Sequence, residues 1–266
     1  MNTVFEMRDN YTCEDLLEIM RILRGEKGCP WDREQDHKSI RNDFLEEVYE
    51  VIDAIDNDNV DGLKEELGDV LLQVVFHSQI ETEGGSFNFD DVCDGICKKL
   101  ILRHPHVFGE VEAKTSAKVK ENWDAIKKVE KGQATATETL RSVPKAFPAL
   151  MRSKKVQSRA AKAGMDFKDI AQVMKSLESE LEELKAAMES GSKAECEEEL
   201  GDLLFSVVNI SRFLKVDAEE SLAKSCDKFI DRFEKSEKLA EEKGVDMKKA
   251  TESELDMLWN EAKKRI

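Results

Sequence analysis

Eight acidic residues are spaced so that they could hold a cation together. Glu47 and Glu50 stand three apart, as do Glu66 and Asp69, and Glu180, Glu183, Glu199 and Asp202 repeat the pattern. All four equivalent pairs are separated by 133 positions, so no gap opens between the two acidic motifs in either copy. A helix turns by about 100° per residue, so each three-residue step returns to nearly the same face. Carboxylates gathered on facing helices repel one another unless a cation neutralises them. The set offers oxygen ligands only, with no His or Cys, so Mg²⁺ is the expected ion and Mn²⁺ the alternative. A di-iron bundle would use Glu-x-x-His on two helices, which neither hairpin supplies.

Two helices must position each set. Apolar residues recur with helical spacing at 44, 45, 48, 51, 52 and 55, then at 63, 67, 70, 71, 74 and 75. With this seam at zero, Glu47 and Glu50 fall at about −100° and −160°, and Glu66 and Asp69 fall at the same two angles. Antiparallel helices packed seam to seam bring such flanks to one side. The heights match as well, because 47 with 69 and 50 with 66 are both centred on residue 58 of the intervening turn, Asn57-Asp58-Asn59. In the second copy both pairs are centred on residue 191 of Ser190-Gly191-Ser192. Four carboxylates per hairpin are expected at one level. A solvated acidic face is the ordinary alternative for a lone Glu-x-x-Glu, and the doubled, level pattern argues against it.

The repeat extends further. Glu65 to Leu72 recurs as Glu198 to Phe205, Lys99 to Arg103 resembles Lys228 to Arg232, and Trp123 with Lys127-Lys128 resembles Trp259 with Lys263-Lys264. Four blocks in one order imply a duplication. The pattern weakens at Gly132 to Pro148, which holds two of the four prolines. The expected organisation is therefore a first domain at 1–131, a linker at 132–148 and a second domain at 149–266. Thr12-x-x-Asp15, Asp217-x-x-Glu220 and Thr251-x-x-Glu254 read as helix caps. Alternating strand patterns are absent, and the expected fold is all-α, a tandem repeat of helical-hairpin domains forming bundles.

Composition narrows the partners. The 266 residues carry 41 Lys+Arg against 57 Asp+Glu, a formal charge of −16, with 40% hydrophobic and 37% charged residues. That suits amphipathic helices with solvated outer faces and disfavours duplex nucleic acid or an anionic membrane as partner. The run Val70 to Phe76 is far too short to span a bilayer. Six cysteines make no CxxC pair, so a reduced, cytoplasmic protein with free thiols is expected. No GxxxxGK[ST] loop is present, which disfavours a P-loop enzyme.

Other candidates are open on spacing alone. Lys99/Arg103 and Lys228/Arg232 stand at i,i+4 and could hold phosphate oxygens, though surface cations pairing with the abundant acids are the commoner case. Trp123 and Trp259 could stack on a base or cap a small core. Cys29-Pro30-Trp31-Asp32 reads as either a stacking or a turn element, and His104-Pro105-His106 as a structural turn. A metal- or nucleotide-binding helical regulatory module and an inert scaffold remain alternatives to an enzyme.

Glu46-Glu47-x-x-Glu50 followed by Glu66-x-x-Asp69 resembles the signature of the all-α nucleoside triphosphate pyrophosphohydrolases, specifically the MazG-like family. Gly28-Cys29-Pro30-Trp31-Asp32, Arg103-His104-Pro105-His106-Val107-Phe108-Gly109 and Asn122-Trp123 resemble its two-domain form, and the likeness covers nearly the whole chain. The resemblance implies Mg²⁺-dependent cleavage of nucleoside triphosphates between the α- and β-phosphates, giving monophosphate and pyrophosphate, and homodimerisation through helical faces. It implies Glu180, Glu183, Glu199 and Asp202 as catalytic metal ligands, with Glu47, Glu50, Glu66 and Asp69 as their counterparts. The substrate-binding set it suggests is Lys228, Arg232 and Trp259, with Ser179 and Glu198 alongside and Lys99 and Arg103 in the first copy. One position departs from the pattern: Ser179 stands where the first copy has Glu46.

Overall fold

Side-chain caps set most of the helix starts. Thr12 and Asp15 form a reciprocal capping box that opens α1 (Cys13–Leu23), and Thr251 with Glu254 does the same for α13 (Glu252–Ala262). Asp217 accepts from the N–H groups of Glu219 and Glu220 to open α12 (Ala218–Lys243). The computed structural model describes residues 5–130, 132 and 135–265, and among them no strand occurs. The remaining helices are α2 (Pro30–Glu34), α3 (Arg41–Asp56), α4 (Val60–Gly84), α5 (Phe89–Arg103), α6 (Pro105–Phe108), α7 (Ser116–Glu130), α8 (Ala136–Arg141), α9 (Ala149–Lys162), α10 (Ile170–Ser190) and α11 (Lys193–Leu214).

The chain divides into two compact units, residues 1–127 and 128–266. In the first, α3 and α4 form the main hairpin, and α4 also packs on α1 and α5. Its turn works through Asp58, whose φ of 52° reverses the chain, and Asn59, whose side chain accepts from Gly62 N–H at 3.0 Å. Met20, Ile40, Val75 and Phe76 make the buried core, with Leu16, Leu17, Leu72, Ile80 and Phe89 against them.

In the second unit α10 and α11 form the equivalent hairpin. Gly191, at φ 73°, takes the left-handed residue of its turn, and Ser192 caps α11. A separate core of Leu239, Ala240, Leu258 and Ala262 joins α12 to α13.

One expectation changes. The stretch 132–148 is not bare linker in its described part: Thr135 opens α8 with a capping box, α8 packs on α9, Val143 is buried, and Arg159 donates to the Thr139 carbonyl and the Ser142 hydroxyl. Residues 131, 133 and 134 lie outside the described residues. The apolar seam is also closed only in part. Leu45, Val48, Ile52, Ile55, Leu67 and Leu71 in one hairpin, and Leu181, Leu200 and Leu204 in the other, stay exposed. Each helix carries an apolar stripe wider than one partner helix can cover.

The first core gives a test of this packing. Met20 is 1% exposed and central to its cluster, so Met20→Ala should cost about 2–5 kcal/mol, as other buried Met truncations do. Urea unfolding followed by far-ultraviolet circular dichroism measures it, and a loss below about 1 kcal/mol would place the core elsewhere.

Candidate active site

The paired hairpins bring the acids together. Carboxylate oxygens of Glu47, Glu66 and Asp69 lie within 4.8 Å of one another, as do those of Glu180, Glu199 and Asp202. Each trio joins one residue of the first helix to two of the second. The fourth acid stands beside the trio rather than within it. Glu50 is close enough to Glu66 to share a hydrogen bond, and Glu183 accepts from the Ser179 hydroxyl at 3.0 Å. The seam angles anticipated the convergence, while the two fourth acids sit on the more exposed side of their helices.

Burial and mutual repulsion act on these groups in the same direction. Partial desolvation, then Asp69 and Glu50, raise the Glu47 carboxyl above the usual glutamate range. Desolvation and the Glu50 hydrogen bond do the same for Glu66. In the second copy desolvation, then Glu183 and Asp202, raise both Glu180 and Glu199. A bound cation would reverse this by favouring the charged forms. Three oxygen donors per cluster, no nitrogen or sulfur, and an accessible position fit a hard divalent ion that keeps water ligands of its own. Both trios also sit near the middle of their hairpins, held by rigid helices rather than loops.

The basic and aromatic candidates divide differently. Arg103 is buried, with its guanidinium carbon 5.2 Å from the centre of the Trp123 ring, and the His104 ring meets the same Trp edge-on at 5.0 Å. Lys99 is exposed on the helix that Arg103 ends. In the second copy Trp259 packs 5.0 Å from Phe229. Arg232 there is half-buried with its Nε shielded and unpartnered, and Lys228 and Glu198 are exposed. The first copy thus closes its Arg on its own Trp, and the second holds an Arg donor in reserve. Helix α12, which carries Lys228 and Arg232, packs chiefly on α13 and α9. The structure therefore assembles the acids of each hairpin, and sets Arg103 against Trp123.

The remaining motifs are structural. Cys29 leads into α2 with Pro30 at its first turn, and Trp31 is exposed. Gly28 is required because a Cβ there would sit 2.1 Å from the Leu23 carbonyl oxygen. His104 binds the Leu100 carbonyl through Nδ1 at 2.7 Å, and Pro105 starts α6. Two groups escaped the sequence reading. Arg24 makes a two-pronged ion pair with Glu83, donates to the Asp32 and Gln35 carbonyls and lies over Phe76. His37 bridges His77 and Glu81. Their contacts with α4 join residues 40 to 59 positions apart, which leave no local spacing to read, although the Glu81 position four after His77 is a weak helical hint.

Known proteins share these features. A family model described as the MazG nucleotide pyrophosphohydrolase domain matches residues 35–108 and again 168–236, one match over each acidic hairpin. The nucleoside triphosphate pyrophosphohydrolase/pyrophosphatase MazG of Thermotoga maritima is 45% identical over 250 residues, covering 94% of this chain and 95% of that protein. The nucleoside triphosphate pyrophosphohydrolase of Escherichia coli K12 is 40% identical over 253 residues, covering 94% and 96%. YabN of Bacillus subtilis, described as uncharacterized, is 43% identical over 250 residues, which is 92% of this chain and 50% of YabN.

The raised carboxyl groups set a pH dependence. A folded-state acid raised above its unfolded value of 4.5 keeps its proton longer when folded, so folding is penalised as pH rises through about 4.5 and the penalty is complete above the raised value. In chelator, Glu180→Gln should therefore raise the Tm at pH 7.5 and lose that advantage towards pH 4.5. An equal effect at both pH values would mean that the cluster carries no repulsion.

Proposed function

The chain belongs to the MazG nucleotide pyrophosphohydrolase family, and from that premise we propose that it hydrolyses nucleoside triphosphates between the α- and β-phosphates, releasing monophosphate and pyrophosphate, with Mg²⁺ held by the acidic trios. As a member of this family it is an enzyme, a nucleoside triphosphate pyrophosphohydrolase. The observation that carries the metal reading is the pair of level carboxylate clusters, whose Glu47, Glu180 and Glu199 are raised by desolvation and then by mutual repulsion that a divalent ion would relieve.

In this reading Glu180, Glu199 and Asp202 hold the ion in the second copy with Glu183 beside them, and Glu47, Glu66, Asp69 and Glu50 do so in the first. Bound Mg²⁺ would supply charge neutralisation of the phosphates and a water of lowered pKa. The remaining roles belong to the chain's own side chains. The Ser179 hydroxyl orients the Glu183 carboxylate, a task that Glu46 cannot perform in the same way because it has no hydroxyl proton to donate when ionised. Arg232 offers a shielded, unpartnered Nε–H for a phosphate oxygen. Lys228, one turn earlier and exposed, adds a point charge that offsets the acidic field as the substrate approaches. Trp259, half-buried against Phe229, is the base-stacking surface of this reading. The second copy is the preferred catalytic one because its Arg is not stacked on its Trp.

Phosphorus NMR of the purified protein with each nucleoside triphosphate and Mg²⁺ tests the bond. Monophosphate and pyrophosphate, lost with EDTA, are expected, and diphosphate with phosphate would refute the assignment. Glu199→Gln with Asp202→Asn should lower the rate by about a hundred-fold or more, since metal-held charge stabilisation is worth several kcal/mol and each 1.4 kcal/mol is tenfold. Combined with Glu66→Gln and Asp69→Asn, the double change should leave no turnover.

We also propose that the open seam, from Leu45 to Leu71 and from Leu181 to Leu204, is covered by a second copy of the chain. Contiguous exposed apolar area of this kind marks an interface, and its alternation with the acidic flank matches a helix-bundle surface. Light scattering after size exclusion should give twice the chain's 30.3 kDa, and Leu200→Glu with Leu204→Glu should return it to a single chain. A monomer before substitution would refute the pairing.

A further inference from the structure

All four histidines lie in the first unit, at 37, 77, 104 and 106. Two of them join the segment between α2 and α3 to the middle of α4. His37 Nδ1 and His77 Nδ1 are 2.7 Å apart, and His37 Nε2 lies 2.7 Å from a Glu81 carboxylate oxygen. The imidazoles stack at 5.0 Å with 15° between their planes, and the Phe44 ring packs on His77 from α3. His77 and Glu81 stand one turn apart on α4, so His37 is held between two rungs of one helix.

We propose that His37, His77 and Glu81 form a proton-operated latch that fastens the segment between α2 and α3 onto α4, and that a second proton on the imidazole pair releases it. The hydrogen-bond chain requires it. Glu81 accepts, so His37 Nε2 carries a proton. The Nδ1–Nδ1 contact then needs one donor and one acceptor, which is met with no net proton on the pair or with one. With two, both Nδ1 atoms carry protons, no acceptor remains, and two positive rings face each other at stacking distance. Burial and the charge of His37 both disfavour that second proton on His77, while the Ser86 hydroxyl and His37 keep Glu81 ionised.

No other charge among the described residues has been assigned to this task. From α1, Arg24 is committed to Glu83 of α4. From α5, Asp91 is committed to the capping box with Asn88, and Asp90 stands in the same first turn. In the segment itself Asp36 accepts from the N–H groups of Lys38 and Ser39. Helix α3 opens with Arg41 and Asp43 and offers His77 the uncharged Phe44 ring.

The latch matters because the start of α3 has no side-chain cap. Its anchors are buried Ile40, the Arg24 bonds to the Asp32 and Gln35 carbonyls, and the imidazole pair. Only the last is built of histidine, the residue type whose charge changes nearest neutral pH, and α3 carries Glu47 and Glu50. The second copy provides an internal control. At the offset of 133 that relates the acidic motifs, it has Ile170, Ile210 and Leu214 in place of His37, His77 and Glu81.

Amide hydrogen exchange of the full chain tests this, read by mass spectrometry and corrected for intrinsic rates. Between pH 7.5 and 5.5, protection of residues 35–44 should fall by up to about tenfold per pH unit once the second proton binds, the slope for one proton taken up on opening. Protection of residues 168–177 should not change. His77→Gln should make the response of 35–44 flat, and His37→Gln serves as the second variant should the first misfold. Equal pH responses in the two segments would overturn the latch, as would an undiminished response in both variants.

Discussion

Three carboxylates at each helix–helix border are brought within 4.8 Å of one another without driving their helices apart. The two hairpins meet this condition through turn geometry. Asp58 at positive φ with the Asn59 cap in one, and Gly191 with the Ser192 cap in the other, fix the register at which the helices return. With the register fixed, Glu47 must face Asp69 and Glu180 must face Asp202. A slip of one residue would rotate one pair by about 100° and disperse the set. The caps elsewhere in the chain hold helices, whereas these two hold the spacing of charges.

This constraint also accounts for the open apolar seam. A hairpin whose polar flank is crowded with like charges leaves that flank to water, so it is not wrapped on all sides by its own chain. The inner cores are correspondingly small. One is gathered around Met20, Ile40, Val75 and Phe76, and the other around Leu239, Ala240, Leu258 and Ala262. Each lies towards an end of its hairpin or beyond it rather than beneath the acids. Stability and chemistry are thereby placed on different parts of the same long helices, Val75 and Asp69 on α4 being separated by less than two turns.

Much of this was legible in the residues because it is periodic. The hairpins follow from apolar recurrence at helical spacing, the turns from Asn-Asp-Asn and Ser-Gly-Ser, and the convergence of Glu47, Glu66 and Asp69 from helical angles alone. Glu50 and Glu183 were placed less well, since an ideal wheel does not tell the inner edge of a flank from its solvent side. The exposure of Leu45 and Leu67 could not be read from spacing, because periodicity identifies an apolar face without saying what covers it. Arg24 and His37 left almost no signal, as their ion-pair and imidazole partners on α4 are brought near only by the fold. The helix α8 was hidden within a Pro- and Thr-rich stretch whose composition reads as loop.

The two copies have kept the acids and diverged around them. Arg103 is spent on Trp123 in the first, while the shielded Nε of Arg232 lacks a partner in the second. The first has every histidine and the second has none. The first copy retains its carboxylate trio, which keeps the electrostatic cost of like charges at the hairpin border. A trio held only for folding would be relieved by a single Glu→Gln change, because nothing in the packing of α3 on α4 requires ionised groups there. In the proposed reading a divalent ion would offset that cost in either copy.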